Sequence, residues 1–249
     1  MSVASSNGGG NELVPSSILE GLRAAAPLKR ERTTAKESAP VRPVPIEHVE
    51  EVLPHVSRQV AAMIRLQILT GMRSGEVALM RPCDLDRSEV TWLYRPEFHK
   101  TDYLEIERTI FIGPQVQSIL EPWLERPAEK YCFSPAEAEA DRNELRKQTR
   151  KSKVTPSQAA RFPKEEPKRA KHDRYDRDSY RRAITYGVKK AGTPHWHPHQ
   201  LRHTCGTRVR AEYGLDVAQV ILGHQSADVT QVYAEANQRR AIEVVRVIG

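Results

Sequence analysis

Apolar residues recur at the spacing of an α-helix through most of the chain after residue 45, and this periodicity constrains the fold more than any other feature. The run at residues 46–57 is apolar at Ile46, Val49, Val52 and Leu53, and the next run ends at Gly71. Helical spacing returns in five later segments, at residues 115–127, 179–192, 199–214, 217–224 and 228–237. The sequence therefore predicts a mainly helical domain.

The exception to the helical pattern lies between residues 90 and 112. The segments VTWLY and LEIERTIFI predict strands, and the second alternates apolar and polar residues, as a half-exposed strand does. We expect a mainly α fold (α+β) with a small antiparallel sheet near residues 90–112. Before the sheet, SGEVALM predicts a short helix with Ser74 as its N-cap.

The chain divides by composition at about residue 45. Residues 1–15 are rich in Ser, Gly and Asn and are predicted to be disordered, residues 16–28 predict a short helix, and residues 29–45 carry three prolines and indicate a linker. We therefore interpret residues 1–44 as a tail and linker and residues 45–249 as one folded domain. Within it, residues 137–172 carry few large apolar side chains and predict a basic insertion, a charged helix followed by a mobile loop.

Positive charge is concentrated in one segment of the chain. The formal net charge is +7, and residues 142–171 hold eleven lysines and arginines against three glutamates, a net charge of +8. Such a segment favours a polyanionic partner, with nucleic acid ahead of an acidic membrane surface. A solvated insertion that binds nothing is the competing interpretation.

Composition excludes several other classes of protein. No apolar stretch approaches the length of a membrane span, and the N-terminus has no signal-peptide pattern, so we expect no membrane partner. Three cysteines lie far apart without a CxxC pair, which argues against a disulfide framework and fits a reducing, cytoplasmic location. Aromatic residues make up 6%, too few to suggest a stacking platform for single strands.

Four segments carry residues of chemical interest, and each alone is a weak signal. They are TGMRSGEV with Arg73 and Glu76, HKTDYLEIER with Lys100, HPHQLRHT with His199, Arg202 and His203, and LGHQSADVTQVYAE with His224 and Tyr233. In this order and at this spacing they resemble the tyrosine recombinase (phage integrase) family, whose patterns are TG-x-R-x-x-E, a hairpin lysine, H-x-L-R-H-T, and LGH followed nine residues later by tyrosine. The resemblance covers about residues 45–245.

The resemblance implies a site-specific DNA recombinase or integrase, an enzyme that cleaves and rejoins DNA through a 3′-phosphotyrosyl intermediate. Attack on a phosphodiester builds negative charge on its non-bridging oxygens, and two guanidiniums can hold that charge with paired hydrogen bonds. The family pattern assigns this clamp to Arg73 and Arg202 and the covalent nucleophile to Tyr233.

The remaining roles follow from the same resemblance. Lys100 is expected to protonate the leaving oxygen, with His99 and Arg108 as neighbouring alternatives because the usual basic turn is replaced by DYLE. His199 and His224 are expected to donate hydrogen bonds to the phosphate, and His199 also to help remove the tyrosine proton.

Two further groups of residues are expected to support the site. Glu76 is expected to orient a neighbouring histidine, and His203 to have a structural role. Contacts to DNA outside the site are expected from the basic insertion, through Arg142, Arg146, Lys147, Arg150, Lys151 and Lys153.

The expected partner is double-stranded DNA, bound as a homotetramer, with a monomer or weak oligomer when DNA is absent. Residues 239–249 are a candidate for a short helix exchanged between subunits. We expect no cofactor and no metal, although HWHPHQLRH is rich in histidine, because a structural zinc site would usually add cysteines or a second ligand pair.

Two alternatives remain open. Family members usually carry a helical core-binding domain before the catalytic one, whereas about 45 residues precede it here, and residues 16–28 would be a remnant helix of that domain. The chain would then be a truncated protein that binds DNA without cleaving it. The other alternative is a type IB topoisomerase-like activity, which uses the same tyrosine chemistry without recombination.

Overall fold

The computed structural model describes residues 16–24, 41–98, 108–161, 172–223 and 241–248. The chain divides into two compact units, Met1–Pro40 and Val41–Gly249. In the first unit, helix α1 (Ser16–Ala24) lies within the helix predicted at residues 16–28. Outside the described residues lie the tail at 1–15, most of the linker, part of the predicted mobile loop, and Lys100, His224 and Tyr233.

The second unit is mainly helical with one small antiparallel sheet, which confirms the predicted fold class. Its helices are α2 (Ile46–Val52), α3 (Arg58–Thr70), α4 (Ser74–Leu79), α5 (Pro114–Leu124), α6 (Pro135–Gln148), α7 (Pro156–Ala159), α8 (Arg177–Ala191), α9 (Pro198–Tyr213), α10 (Leu215–Leu222) and α11 (241–248). Its strands are β1 (Leu85–Asp86), β2 (Trp92–Tyr94) and β3 (Ile110–Ile112).

The sheet has the order β1-β2-β3, with Leu85 opposite Tyr94 and Trp92 opposite Ile112. The prediction of a half-exposed second strand is wrong for its described part, because all three residues of β3 are buried. The physical reason is that the sheet lies between two hydrophobic clusters. Ile110 and Ile112 belong to the larger cluster, and Phe111 belongs to the smaller one, which α9, α10 and α11 complete.

Helix α3 is the centre of the larger cluster. The hydroxyl of Ser57 caps its first turn by accepting from the backbone N–H of Val60, and Gly71 ends it with a φ of 67°. Nine of its thirteen residues are buried, and its neighbours include α4, α5, α6, α8 and α9. Because α3 ends at Gly71, within the TG-x-R motif, the arginine of that motif, Arg73, lies just beyond the end of the helix.

The start of helix α4 differs from the prediction. Ser74 is its first helical residue, and Arg73 occupies the N-cap position that we expected for Ser74. The reason is that Glu76 bonds back to the cap, since its Oε2 accepts from the backbone N–H of Arg73 at 2.6 Å. Arg73 is thereby held at the helix start by the carboxylate three residues later.

Candidate active site

Arg202 is held between the ends of two helices. It lies in the first turns of α9 with 4% of its surface exposed. Its Nη1 donates to the carbonyl of Gly71 at 2.7 Å, and its Nη2 donates to the carbonyl of Leu222 at 2.6 Å. These carbonyls end α3 and α10, where helix dipoles place partial negative charge and unpaired acceptors. The two helix ends therefore fix the guanidinium by both of its terminal nitrogens.

Arg73 and Arg108 share one carboxylate. Glu76 is 2% exposed, and its Oε1 accepts from Nη1 of Arg73 at 2.7 Å and from Nε of Arg108 at 3.3 Å. With the backbone bond described above, the carboxylate of Glu76 holds Arg73 by both its main chain and its side chain. The expected histidine partner is not among these contacts, which are all with arginine.

Charge in this cluster is not balanced by its own residues. Burial lowers the pKa of Arg202 to about 10, and the charges of Arg73 and Arg108 act in the same direction. Burial would raise the pKa of Glu76, but Arg108 and the hydrogen bonds from Arg73 outweigh it, so the pKa lies below its usual value. Three guanidiniums around one ionised carboxylate leave excess positive charge, which an anion would relieve.

The cluster opens on a cleft of about 410 Å³ between α9, α10 and the start of α4. One face of α9 lines the cleft, because residues three or four positions apart lie on the same face of a helix. On this face, the rings of His199 and His203 meet edge to face with centroids 4.8 Å apart. The lining residues are Arg73, His199, Arg202, His203, Gly206, Thr207, Arg210, Leu215, Ala218, Gln219 and Leu222. The structure thus brings together four of the predicted site residues, with Glu76 bonded to one of them.

The sequence matches the model of the phage integrase family over residues 46–240. The chain belongs to this family.

Two curated relatives carry the name tyrosine recombinase XerC. The protein of Corynebacterium efficiens is 28% identical over 191 residues, which are 76% of this chain and 50% of the relative. The protein of Bifidobacterium longum subsp. infantis is 28% identical over 185 residues, which are 73% of this chain and 44% of the relative. The chain therefore spans about half the length of the curated relatives it matches.

A solved structure shares the fold. The integrase from mycobacterium phage Brujita aligns with a TM-score of 0.55 and 20% identity, covering 88% of this chain and 62% of that one. The region matched by the phage integrase family includes all four motif segments of the sequence, and it also includes Lys100, His224 and Tyr233, whose roles stay predictions.

Helix α6, at the start of the basic insertion, lies away from the cleft of this phage integrase domain. Helix α6 meets the start of α3, where Nε2 of Gln59 donates to Oδ2 of Asp141 at 2.9 Å. From Gln59 to Gly71, at the cleft, helix α3 rises about 18 Å at 1.5 Å per residue. The six basic residues predicted to bind DNA are exposed, and none lines the cleft.

Sequence reasoning did not mark three polar residues that line the cleft, and it did not find the contacts of a fourth residue, Arg108. Thr207, Arg210 and Gln219 line the cleft beyond the arginines and had no motif to mark them. Arg108 was considered only as an alternative to Lys100, although the alternation of its strand carried a signal. With Ile106 and Ile110 two residues to either side, Arg108 shares their face, and a charge on a buried face needs a partner.

Neither a metal site nor a membrane span is found within the described residues. They contain no group of three or more His, Cys, Asp or Glu side chains that could hold a metal ion. None of their helices is long and apolar enough to cross a bilayer.

Proposed function

We propose that this chain is a DNA strand transferase that cleaves a phosphodiester of duplex DNA and rejoins it through a covalent bond to Tyr233. The observation that carries the proposal is the cleft in which Arg73 and Arg202 meet His199, with more positive charge than its own carboxylate balances. A phosphodiester is the anion that two guanidiniums bind with paired hydrogen bonds. We assign the tyrosine to Tyr233 because it stands nine residues after His224, as in the family pattern.

The cleavage step exchanges one phosphoester bond for another. The phenol of Tyr233 gives up its proton, which we assign to His199, and its oxygen attacks phosphorus. The bond to the 5′ oxygen breaks, and that oxygen takes a proton, which we assign to Lys100. The product is a 3′-phosphotyrosyl bond and a free 5′-hydroxyl. Rejoining runs in reverse, with a 5′-hydroxyl attacking phosphorus and Tyr233 leaving.

The arginine cluster stabilises the charge that develops during this attack. Removing one such donor from a comparable site costs about 10²- to 10³-fold in rate. Arg202 keeps its charge at neutral pH because its pKa of about 10 lies well above 7. Its bonds to the carbonyls of Gly71 and Leu222 hold the guanidinium before DNA arrives, so little reorganisation is needed in the reaction.

DNA contacts outside the cleft are assigned to the basic insertion. Because helix α6 meets the start of α3, its exposed Arg142, Arg146 and Lys147 would meet phosphates distant from the scissile one. Such contacts give affinity that falls steeply with salt and carries no sequence information.

A nicked duplex that loses its 5′-hydroxyl fragment after cleavage tests the proposal, because the covalent intermediate is then trapped. We expect a protein–DNA adduct that survives denaturation in the wild type and is absent from Tyr233→Phe. The matched control is Tyr186→Phe, since Tyr186 is 60% exposed on α8, and this variant should form the adduct at the wild-type rate.

Two outcomes would contradict the proposal, and a third would keep its chemistry but exclude recombination. An adduct that persists in Tyr233→Phe would remove Tyr233 as the nucleophile. No adduct in the wild type, with salt-sensitive binding intact, would make the chain a DNA-binding protein without cleavage activity. Relaxation of supercoiled plasmid without recombinant product would favour the topoisomerase-like activity.

A further inference from the structure

Arg108 is a buried arginine that no motif marks. It lies just before β3 and is 5% exposed. Its Nε donates to Glu76 at 3.3 Å, and its Nη1 donates to the carbonyl of Thr109 at 3.2 Å. Among the described residues, none accepts a hydrogen bond from its Nη2, which is fully buried. Arg108 is not among the residues that line the cleft.

The guanidinium of Arg108 also packs against the turn after α10. Gly223 has a φ of 61°, and a Cβ built on it would overlap this guanidinium, with Cζ only 2.9 Å away. Any side chain at position 223 would therefore displace Arg108 as well as strain the backbone. Gly223 directly precedes His224 in the sequence.

Arg108 belongs to one motif segment and contacts residues of two others. Through Glu76 it reaches the start of α4, which carries Arg73, and through Gly223 it reaches the turn that leads to His224. Arg108 itself directly follows residues 99–107, the segment that contains Lys100. Three of the four motif segments meet at this one side chain.

The electrostatic cost of Arg108 indicates that it does more than fill space. Burial and the charge of Arg73 both lower the pKa of Arg108, and Arg108 in turn lowers the pKa of Arg202. A buried third cation beside two others is unfavourable, and an apolar side chain would fill the same space without that desolvation cost. Its contacts with Glu76 and Gly223 point to a role in holding these two residues in place, beyond filling space in the core.

We infer that Arg108 is a positioning residue, which fixes Arg73 through Glu76 and fixes the turn before His224 through Gly223. The inference rests on the proposed function, because the group that it positions is the clamp for the scissile phosphate. Any cation at position 108 would add positive charge near the cleft. Only a guanidinium, with several nitrogens in one plane, can reach both Glu76 and the turn at Gly223.

The test measures the rate of adduct formation in a single turnover on the nicked duplex, as DNA concentration is raised. We expect Arg108→Met to lower the maximal rate about 10- to 100-fold, as loss of a group that orients a binding residue does elsewhere. The DNA concentration that gives half the maximal rate should not change. Arg108→Lys keeps the charge and should recover part of the rate.

Arg126→Met is the matched control. Arg126 is also largely buried, and it pairs with Glu137 at 3.2 Å and donates to the carbonyl of Tyr131 at 2.6 Å, away from the cleft. Its replacement should lower thermal stability and leave the maximal rate unchanged. A wild-type rate in Arg108→Met, or an equal loss in Arg126→Met, would overturn the inference.

A second readout separates this inference from the proposed function. If the wild type forms no adduct, the proposed function fails. The role of Arg108 is then tested by measuring how far inorganic sulfate, an anion that can bind the arginines of the cleft, raises the unfolding temperature. Sulfate should stabilise the wild type and Arg126→Met more than Arg108→Met. Equal shifts in all the variants, or no shift in the wild type, would refute the positioning role.

Discussion

At the scale of single residues, Glu76 decides the arrangement of the cleft. Its carboxylate accepts from the backbone and side chain of Arg73 and from Arg108, so both guanidiniums depend on its negative charge. Loss of one partner of a buried ion pair leaves an uncompensated charge and costs about 3–5 kcal/mol. Glu76 is therefore a structural requirement of the site without touching the phosphate.

Replacing Glu76 by Gln should make the stability of the protein less dependent on acid. Since the folded state lowers the pKa of Glu76, its contribution is fully present above the unfolded value near 4.5 and is lost as pH falls through the folded value. The free energy of unfolding of the wild type should exceed that of Glu76→Gln by a constant amount near pH 7, and the difference should shrink below pH 4.5.

Urea titrations at a series of pH values measure this difference. Glu121→Gln, at an exposed position on α5, serves as control and should match the wild type throughout. A difference for Glu76→Gln that stays constant from pH 7 to pH 3 would contradict the role of the ionised carboxylate.

The sequence was sufficient to name Arg73, Glu76, His199 and Arg202, because a fixed spacing within two short motifs identifies them. Their partners could not be named in the same way. The contact between Glu76 and Arg108 joins residues 32 positions apart, and the carbonyls that hold Arg202 lie 131 and 20 positions from it. Such contacts depend on how helix ends meet, which no local pattern encodes.

At the scale of elements, most helices were predictable and the sheet was only partly so. Helix α7 was not predicted, because it lies where we expected a mobile loop. Helices such as α3 and α9 have long apolar periods and glycines at their ends. Strand β1 has two residues, too few to show any period. The burial of both faces of β3 depends on the second hydrophobic cluster, which forms only when α9, α10 and α11 pack beside the sheet.

The basic insertion makes a separate prediction at this scale. Changing Arg146, Lys147 and Lys151 to Ser should lower the slope of log affinity for DNA against log salt by about 1 for each phosphate that these side chains neutralise. The adduct should still form on saturating DNA, because these side chains lie outside the cleft.

Equilibrium binding to duplex DNA at several salt concentrations gives the slope. The same number of charges removed from α8, at exposed Arg182, Lys189 and Lys190, provides the control. Equal slopes for the two triple variants would show that net charge alone, and no local contact by the insertion, determines binding.

At the scale of the whole molecule, we propose that helix α11 links the subunits of an assembly. Ala241, Val244 and Val245 are buried in the smaller hydrophobic cluster, and Nε of Arg246 donates to Thr91 at 3.3 Å. We propose that on DNA this helix leaves its own cluster and fills that of a neighbouring subunit, as expected for a homotetramer. In the assembly, α11 would then make with the neighbouring subunit the same contacts that it makes here with its own chain.

Charge placed on the buried side of α11 should prevent this assembly. Val244→Asp with Val245→Asp should remain monomeric on DNA that carries two sites, whereas the wild type should form tetramers. Val247→Asp is the control, since Val247 is 72% exposed, and should assemble as the wild type does. Sedimentation of the DNA complexes measures this, and tetramers of the double variant would contradict an exchanged helix.

We propose that the guanidiniums of the cleft neutralise the charge of the scissile phosphate. Replacing one non-bridging oxygen of that phosphate by a methyl group removes the charge, so a neutral linkage should depend less on Arg73. The most direct measurement is the rate of adduct formation by the wild type and Arg73→Ala on the charged and the neutral duplex. We predict a loss of about 10²- to 10³-fold for Arg73→Ala on the charged duplex and a much smaller loss on the neutral one. Equal losses on both duplexes would contradict the claim.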